Sequence, residues 1–78
     1  MHINPNKRTT AHWQDRAAAA LDATHSIEGR YSQLAEHRHM LAAWLDGAIR
    51  LQRKHVRYYV ERIEYTAWQH QYHAERKT

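Results

Sequence analysis

The fold is decided by residues 13–48, which read WQDRAAAALDATHSIEGRYSQLAEHRHMLAAWLDGA. Apolar side chains recur in this stretch at every seventh position, a spacing that lines them up along one side of an α-helix. The series consists of Trp13, Ala20, Ile27, Leu34, Leu41 and Ala48. A companion series is only partly apolar and consists of Ala17, Thr24, Tyr31, Arg38 and Leu45. Together the two series resemble a coiled-coil seam in which many positions are weak.

Apolar residues continue beyond this stretch. After Ala48 the stripe moves over by one position and consists of Ile49, Val56, Val60, Ile63 and Ala67. A second row widens the apolar face in the middle of the chain and consists of Met40, Trp44, Leu51 and Tyr58. A face of this width is typical of a helix that contacts two neighbours. Since β-branched residues never alternate and the single proline is Pro5, we predict an all-α protein.

Two glycines mark the places where the chain is expected to turn. Gly29 is the better candidate, because Ser26 can cap a helix and helix propensity is weak around it. The pair Asp46-Gly47 is the second candidate. Against a turn there, the apolar pattern passes straight through the pair, and a glycine inside a helix costs only about 1 kcal/mol. A break at 46–47 is therefore left open.

The helix bounds follow from these turns, with Thr9 or Thr10 as the expected first N-cap. The predicted bounds are 1–8 for a flexible arm, about 9–25 for helix 1, about 28–74 for a helical region and 76–78 for a frayed C-terminus, with residues 9–75 forming one helical domain. An unbroken second helix would be ~70 Å long, too long for helix 1 to cover, and would predict a dimer. A break permits a monomeric bundle. We predict a helical hairpin or small three-helix bundle that self-associates through an apolar helix face.

Length, charge and composition restrict the function classes. The chain has 78 residues, no cysteine, a net charge of +4 and a mean hydropathy of −0.98. A domain this small buries a weak core and often gains stability from a partner. Neither a signal peptide nor a run of ~20 apolar residues is evident, so we expect a water-soluble, cytoplasmic protein with no membrane partner. The positive charge favours acidic partners.

A basic segment precedes the C-terminal region. Arg50, Lys54 and Arg57 have the spacing of one helix face, and Arg53 lies beside them. The segment between Gly47 and Val60 contains no acid, so these four residues are the candidate site for nucleic acid or an acidic partner. The simpler interpretation is a solvated helix face, since no helix-turn-helix or basic-zipper pattern is present.

Catalytic and metal-binding patterns are weak. Glu36 and His39 have the Glu-x-x-His spacing of di-iron bundles, but such sites need two copies and further glutamates. His70 and His73 could chelate a metal on one helix face, but surface histidines are frequent in a chain with eight of them. We find no phosphate loop, zinc-protease motif or nucleophile elbow. We therefore predict no enzyme, no catalytic residue, no metal site and no cofactor.

The aromatic residues are all Trp or Tyr, with no Phe. Trp, Tyr and Arg are the residues that dominate binding energy at protein interfaces. The candidate partner-binding residues are Tyr58, Arg62, Tyr65, Trp68 and Tyr72. We predict a small non-enzymatic protein-interaction module, a regulator, adaptor or inhibitor of the kind found in phages and mobile elements. The alternative is a nucleic-acid-binding protein that uses the basic face 50–57, and a homodimer remains among the expected assemblies.

Overall fold

Three helices make up the fold. The computed structural model describes the backbone of residues 5–76 and the side chains of residues 11–27 and 29–76. The helices are α1 (Pro5–Ala23), α2 (Ser32–Leu45) and α3 (Arg53–Arg76), with a short 3-10 turn at Glu28–Arg30 between the first two. Each helix packs against the other two, and no strand occurs between residues 5 and 76. The predicted all-α class is confirmed in its three-helix form.

The topology is up-down-up. Arg16 of α1 bonds to Glu64 of α3, and further along both helices Ala23 shares a groove with Gln71. Higher residue numbers on α1 thus lie beside higher residue numbers on α3. The helices α1 and α3 therefore run parallel, with α2 antiparallel to both.

The core consists of small and medium apolar side chains from all three helices and the first turn. Its buried members are Ala17, Ala20, Ile27, Leu34, Leu41, Val56, Val60 and Ile63. Four of these come from the seven-residue series, and three come from the stripe that follows it. Both predicted stripes thus face each other inside one chain. Self-association stays a prediction, and the unbroken helix that would have required it does not form.

The first helix starts earlier than the sequence indicated. The predicted bounds are about 9–25, whereas α1 begins at Pro5, four residues earlier, and ends at Ala23, two residues earlier. Proline suits the first turn of a helix, where its missing N–H costs nothing and its φ is already helical. Thr9 and Thr10 lie inside the helix and are not its N-cap. The part of the predicted arm that covers residues 1–4 lies outside the described residues, as do residues 77 and 78 of the predicted frayed end.

The helical region breaks at the second candidate turn as well as at the first. Tyr31 is the N-cap of α2, and α2 ends in a Schellman motif around Gly47. The amide of Ala48 donates to the carbonyl of Ala43 at 2.9 Å, and the amide of Gly47 donates to the carbonyl of Trp44 at 3.1 Å. Gly47 has φ +78°, which only glycine adopts without strain. This turn is what separates α2 from α3.

Substituting the two glycines by alanine should give different results. Gly47→Ala should lower the free energy of unfolding by about 1 kcal/mol, because an L side chain is strained at positive φ. Gly29→Ala is the matched control, because its φ is not positive and no atom beyond its two chain neighbours lies within 4 Å of the added Cβ. It should be neutral or stabilise by about 0.4–1 kcal/mol, since the unfolded chain loses freedom. Urea denaturation measures both, and equal effects would contradict the assignment of Gly47 as the required turn residue.

Polar contacts attach α1 to the other helices. Arg16 forms a bidentate ion pair with Glu64, with Nε to Oε2 at 3.0 Å and Nη2 to Oε1 at 2.6 Å, and this bond raises the pKa of Arg16. From α2, Arg38 donates through Nη1 to the carbonyl of Leu21 and, at 2.6 Å, to Oγ1 of the buried Thr24. Arg38 therefore caps one carbonyl in the last turn of α1, where a cation is favoured.

Candidate interaction surfaces

Three aromatic rings form a continuous stack on the outside of α3. The ring centroids of Tyr65 and Trp68 are 6.2 Å apart with an interplanar angle of 28°, and those of Trp68 and Tyr72 are 5.4 Å apart with an angle of 18°. The positions i, i+3 and i+7 share one helix face, which explains why the rings meet. We call Tyr65, Trp68 and Tyr72 the aromatic ladder.

The aromatic ladder faces solvent. Tyr65 is 51% exposed, Trp68 is 58% exposed and Tyr72 is 41% exposed. The opposite side of α3 supplies Val60 and Ile63 to the core, so α3 is apolar inside and aromatic outside. Monomeric proteins rarely leave contiguous apolar surface of this kind in water without a use for it.

Neighbouring polar groups hold the rings of the aromatic ladder. The amide Nε2 of Gln69 donates to the hydroxyl of Tyr65 at 3.1 Å, and Nη1 of Arg76 donates to the hydroxyl of Tyr72 at 3.2 Å. The guanidinium of Arg76 also lies over the Tyr72 ring, 5.6 Å from its centroid. Rings fixed in this way lose little entropy when a partner covers them.

A groove of about 320 Å³ lies beside the aromatic ladder, between α1 and α3. Its apolar lining includes Ala19 and Ala23 of α1 and Ala67 of α3, and Trp68 forms one wall. Since the alanines are small, the two helices leave room for an apolar side chain next to the indole. Sequence spacing did not reveal this groove, because it depends on which face of α1 meets α3.

The structure separates two of the predicted partner-binding residues from the aromatic ladder. Tyr58 lies in another cluster, with its ring 5.7 Å from that of His37 and 5.7 Å from that of Tyr59. Arg62 is exposed, and its positive charge is close enough to His37 to lower the pKa of that histidine. The cluster joins α2 to α3, and the involvement of His37 could not be seen in the sequence because it comes from a different helix.

His37 is half-buried between the two helices. Burial lowers its pKa, a neighbouring Glu36 carboxylate partly opposes that shift, and the positive charge of Arg62 adds to it. The ring of His37 lies 5.2 Å from that of Tyr59. A neutral imidazole therefore fits this position better than an imidazolium.

The lowered pKa of His37 makes folding stability depend on pH. The unfolded chain, with an ordinary histidine pKa of about 6.5, binds the proton more readily than the folded one. The contribution of neutral His37 to the free energy of unfolding is therefore complete above about pH 6.5. It is lost as the pH falls through that value toward the pKa of His37 in the folded protein. His37→Gln should reduce the loss of stability on acidification, whereas His25→Gln, at an exposed position outside the cluster, should not. Denaturant titrations between neutral and mildly acidic pH measure the difference, and identical slopes would contradict it.

The predicted basic face is divided by the start of α3. Arg53, Lys54 and Arg57 are exposed on the first two turns of α3, but Arg50 lies in the preceding loop. The expectation that Arg50 shares their helix face is wrong, because α2 ends at Leu45 and α3 begins only at Arg53. The Nε of Arg57 donates to Oε1 of Glu61 at 2.5 Å. The three helical cations lie next to cavities lined by Trp13 and Trp44.

Among the residues whose side chains the structure describes, no three His, Cys, Asp or Glu groups come together as metal ligands would. None of the helices within residues 5–76 combines the length and apolar character needed to cross a bilayer.

Comparison of the chain with known protein families, with curated proteins and with solved structures finds no match.

Proposed function

We propose that this protein is a non-enzymatic interaction module that binds a partner protein through the aromatic ladder and the alanine-lined groove beside it. The observation that carries the proposal is the exposure of three stacked rings, Tyr65, Trp68 and Tyr72, on one helix face. Tyr and Trp are among the residues most enriched at interface hot spots. Hot-spot side chains fill pockets on the partner, and in this protein the groove beside Trp68 could receive a partner side chain in return. A regulator, adaptor or inhibitor would act by occupying its partner's surface in this way.

The charges around the aromatic ladder indicate what the partner surface is like. Arg76 lies at one end of the ladder. Two nearby acids are already bonded to cations of the same chain, Glu64 to Arg16 and Glu61 to Arg57. A third, Glu75, accepts a hydrogen bond from Nε2 of Gln71 at 3.2 Å. The cation that contacts a ring of the ladder is Arg76, so we infer a partner surface that is apolar at its centre and carries an acid where it meets Arg76.

A selection from a displayed library of random peptides tests the proposal. Enriched peptides should carry apolar residues flanked by Asp or Glu. Trp68→Ala should weaken their binding by at least 2 kcal/mol, about 30-fold in Kd, as the loss of a hot spot does. Tyr31→Ala is the matched control, because Tyr31 is 38% exposed and lies outside the ladder. Its variant should bind as the wild type does.

Two outcomes would count against the proposal. Enriched peptides that bind Trp68→Ala and wild type equally would place the interaction elsewhere. A concentration-dependent dimer in sedimentation that Trp68→Ala dissolves would show that a second copy of the chain, and not another protein, covers the ladder. Circular dichroism and thermal unfolding should show that Trp68→Ala folds, since its ring is more than half exposed.

A further inference from the structure

Two adjoining cavities lie at the end of the bundle where α3 begins. One has a volume of about 260 Å³ and is lined by Trp13, Trp44, Leu51 and Arg53, among others. The other has a volume of about 550 Å³ and is lined by Trp13, Arg53, Lys54 and Arg57. Since Trp13 and Arg53 line both, the cavities form one recess, which we call the tryptophan cleft. The larger cavity falls within the range of small-molecule sites, roughly 300–1,000 Å³, and the smaller one lies just below it.

The tryptophan cleft has an aromatic side and a cationic side. Trp13 and Trp44 are half-buried, so each keeps part of its ring accessible. The guanidinium of Arg16 lies over the Trp13 ring at 4.6 Å from its centroid, and Glu64 holds Arg16 in place. The Trp13 ring is therefore positioned in advance of any ligand.

The cations of the cleft lie where they oppose the stability of the free protein. The first turn of α3 contains Arg53 and Lys54 and no acid. The N-terminal end of a helix carries partial positive charge, so cations are unfavourable there and anions are favourable. A bound anion would relieve this repulsion. Arg57, one turn further along α3, bonds to Glu61 at 2.5 Å.

We propose that the tryptophan cleft binds a nucleoside phosphate, with its base against Trp13 and Trp44 and its phosphate against Arg53 and Lys54. Aromatic side chains stack on bases of any sequence, and Arg and Lys bind phosphate through charge-assisted hydrogen bonds. A ligand that offers both a planar ring and a dianionic or diester phosphate matches both sides of the cleft. The same unit occurs free, as a mononucleotide, and along a single-stranded nucleic acid. This site is separate from the aromatic ladder and does not depend on its function.

Tryptophan fluorescence tests the proposal in a Trp68→Phe background, where the emission comes from Trp13 and Trp44. The probes are adenosine monophosphate, a short oligodeoxythymidylate and inorganic phosphate, each at low and high salt. We expect at least one of the two nucleotide probes to quench the emission and inorganic phosphate not to. Similar affinity for both nucleotide probes would assign the site to free nucleotides, and much tighter binding of the oligonucleotide would assign it to single strands. The absence of quenching by either nucleotide probe overturns the proposal, as does equal competition by inorganic phosphate.

Variants separate the two sides of the cleft. Lys54→Gln should weaken oligonucleotide binding and reduce the slope of log K against log salt by about one, because one phosphate contact is lost. Trp44→Leu should weaken binding by about 5- to 150-fold without changing that slope, because stacking carries no charge. Arg30→Gln removes the same charge as Lys54→Gln from an exposed position outside the cleft and is the matched control.

The two charge variants decide the case even if Trp44→Leu does not fold. Lys54 is exposed, so its variant should fold and should be slightly more stable than the wild type in the absence of ligand. Equal binding losses in Lys54→Gln and Arg30→Gln would mean a diffuse attraction between a basic protein and an anion. That result would overturn the assignment to the cleft.

Discussion

Replacing Leu41 by alanine should remove most of the stability of this protein. Leu41 is completely buried and is among the largest fully buried side chains. Leucine-to-alanine substitutions at such sites cost about 2.7–5.0 kcal/mol, from lost transfer free energy and the cavity left behind. A single core in a domain of this size rarely supplies more than about 3–5 kcal/mol. The variant should therefore be close to its unfolding midpoint in water at room temperature.

Leu45→Ala provides the matched control for that experiment. Leu45 has the same side chain in the same helix, but it is only half-buried at the edge of the core. Urea denaturation followed by circular dichroism should show a loss for Leu45→Ala well below that for Leu41→Ala. Leu41→Met should cost less than about 1.5 kcal/mol, because the volume is retained. Equal losses at positions 41 and 45 would show that the core is not centred on Leu41.

Removing the guanidinium of Arg38 should have the second-largest effect. Arg38→Met keeps the apolar stem but leaves the carbonyl of Leu21 and the hydroxyl of Thr24 without their charged donor. Hydrogen bonds to charged groups contribute about 1.5–3 kcal/mol, and Thr24 is completely buried. We expect a loss of free energy of unfolding in that range. Arg30→Met removes the same charge at an exposed position and should cost less than about 0.5 kcal/mol.

A double-mutant cycle with Thr24→Val isolates the contact between the two side chains. The hydroxyl of Thr24 also donates to the carbonyl of Ala20 at 3.0 Å, so Thr24→Val alone has its own cost. Because Arg38 Nη1 is bonded to that hydroxyl, the two losses should not add, with a coupling of about 0.5–3 kcal/mol. Additive losses would mean that Arg38 acts only on the carbonyl of Leu21.

The core could be predicted from the sequence because it follows helical spacing. The seven-residue series identified Leu34 and Leu41, and the following stripe identified Val56, Val60 and Ile63, all of which are buried. Spacing alone gave the wrong role to two polar residues of the companion series. Thr24 and Arg38 looked like weak points of a seam, but they bond to each other, one in the turn after α1 and the other in α2. Such a pairing depends on the geometry of the helix pair, which periodicity does not contain.

Helix ends were less predictable than helix faces. The stop at Gly47 depends on one residue adopting positive φ, and the sequence offered equal grounds for continuing the helix through it. The candidate interaction surfaces also divide into features that lie on one helix and features that depend on how helices pack. Composition identified the three residues of the aromatic ladder within a larger candidate set, and their i, i+3 and i+7 spacing explains why the rings meet. The contact between Tyr58 and His37, the groove beside Trp68 and the tryptophan cleft all depend on packing between helices.

The alanine-rich inner face of α1 has a consequence for local unfolding. Ala17 and Ala20, the buried apolar residues among the described side chains of α1, each bring a single methyl group, whereas α2 and α3 bring leucine, valine and isoleucine. Trp13 and Leu21 of α1 also pack against the core, but they are only half-buried. Burial of apolar area sets most of the attachment energy, so α1 depends more than the other two helices on polar contacts, which it makes through Arg16 and Arg38. Opening of α1 should be the lowest-energy excursion of the native state, with its amides exchanging before those of the α2–α3 hairpin. The alanine groove and the Trp13 wall of the cleft would then be disrupted by a single motion.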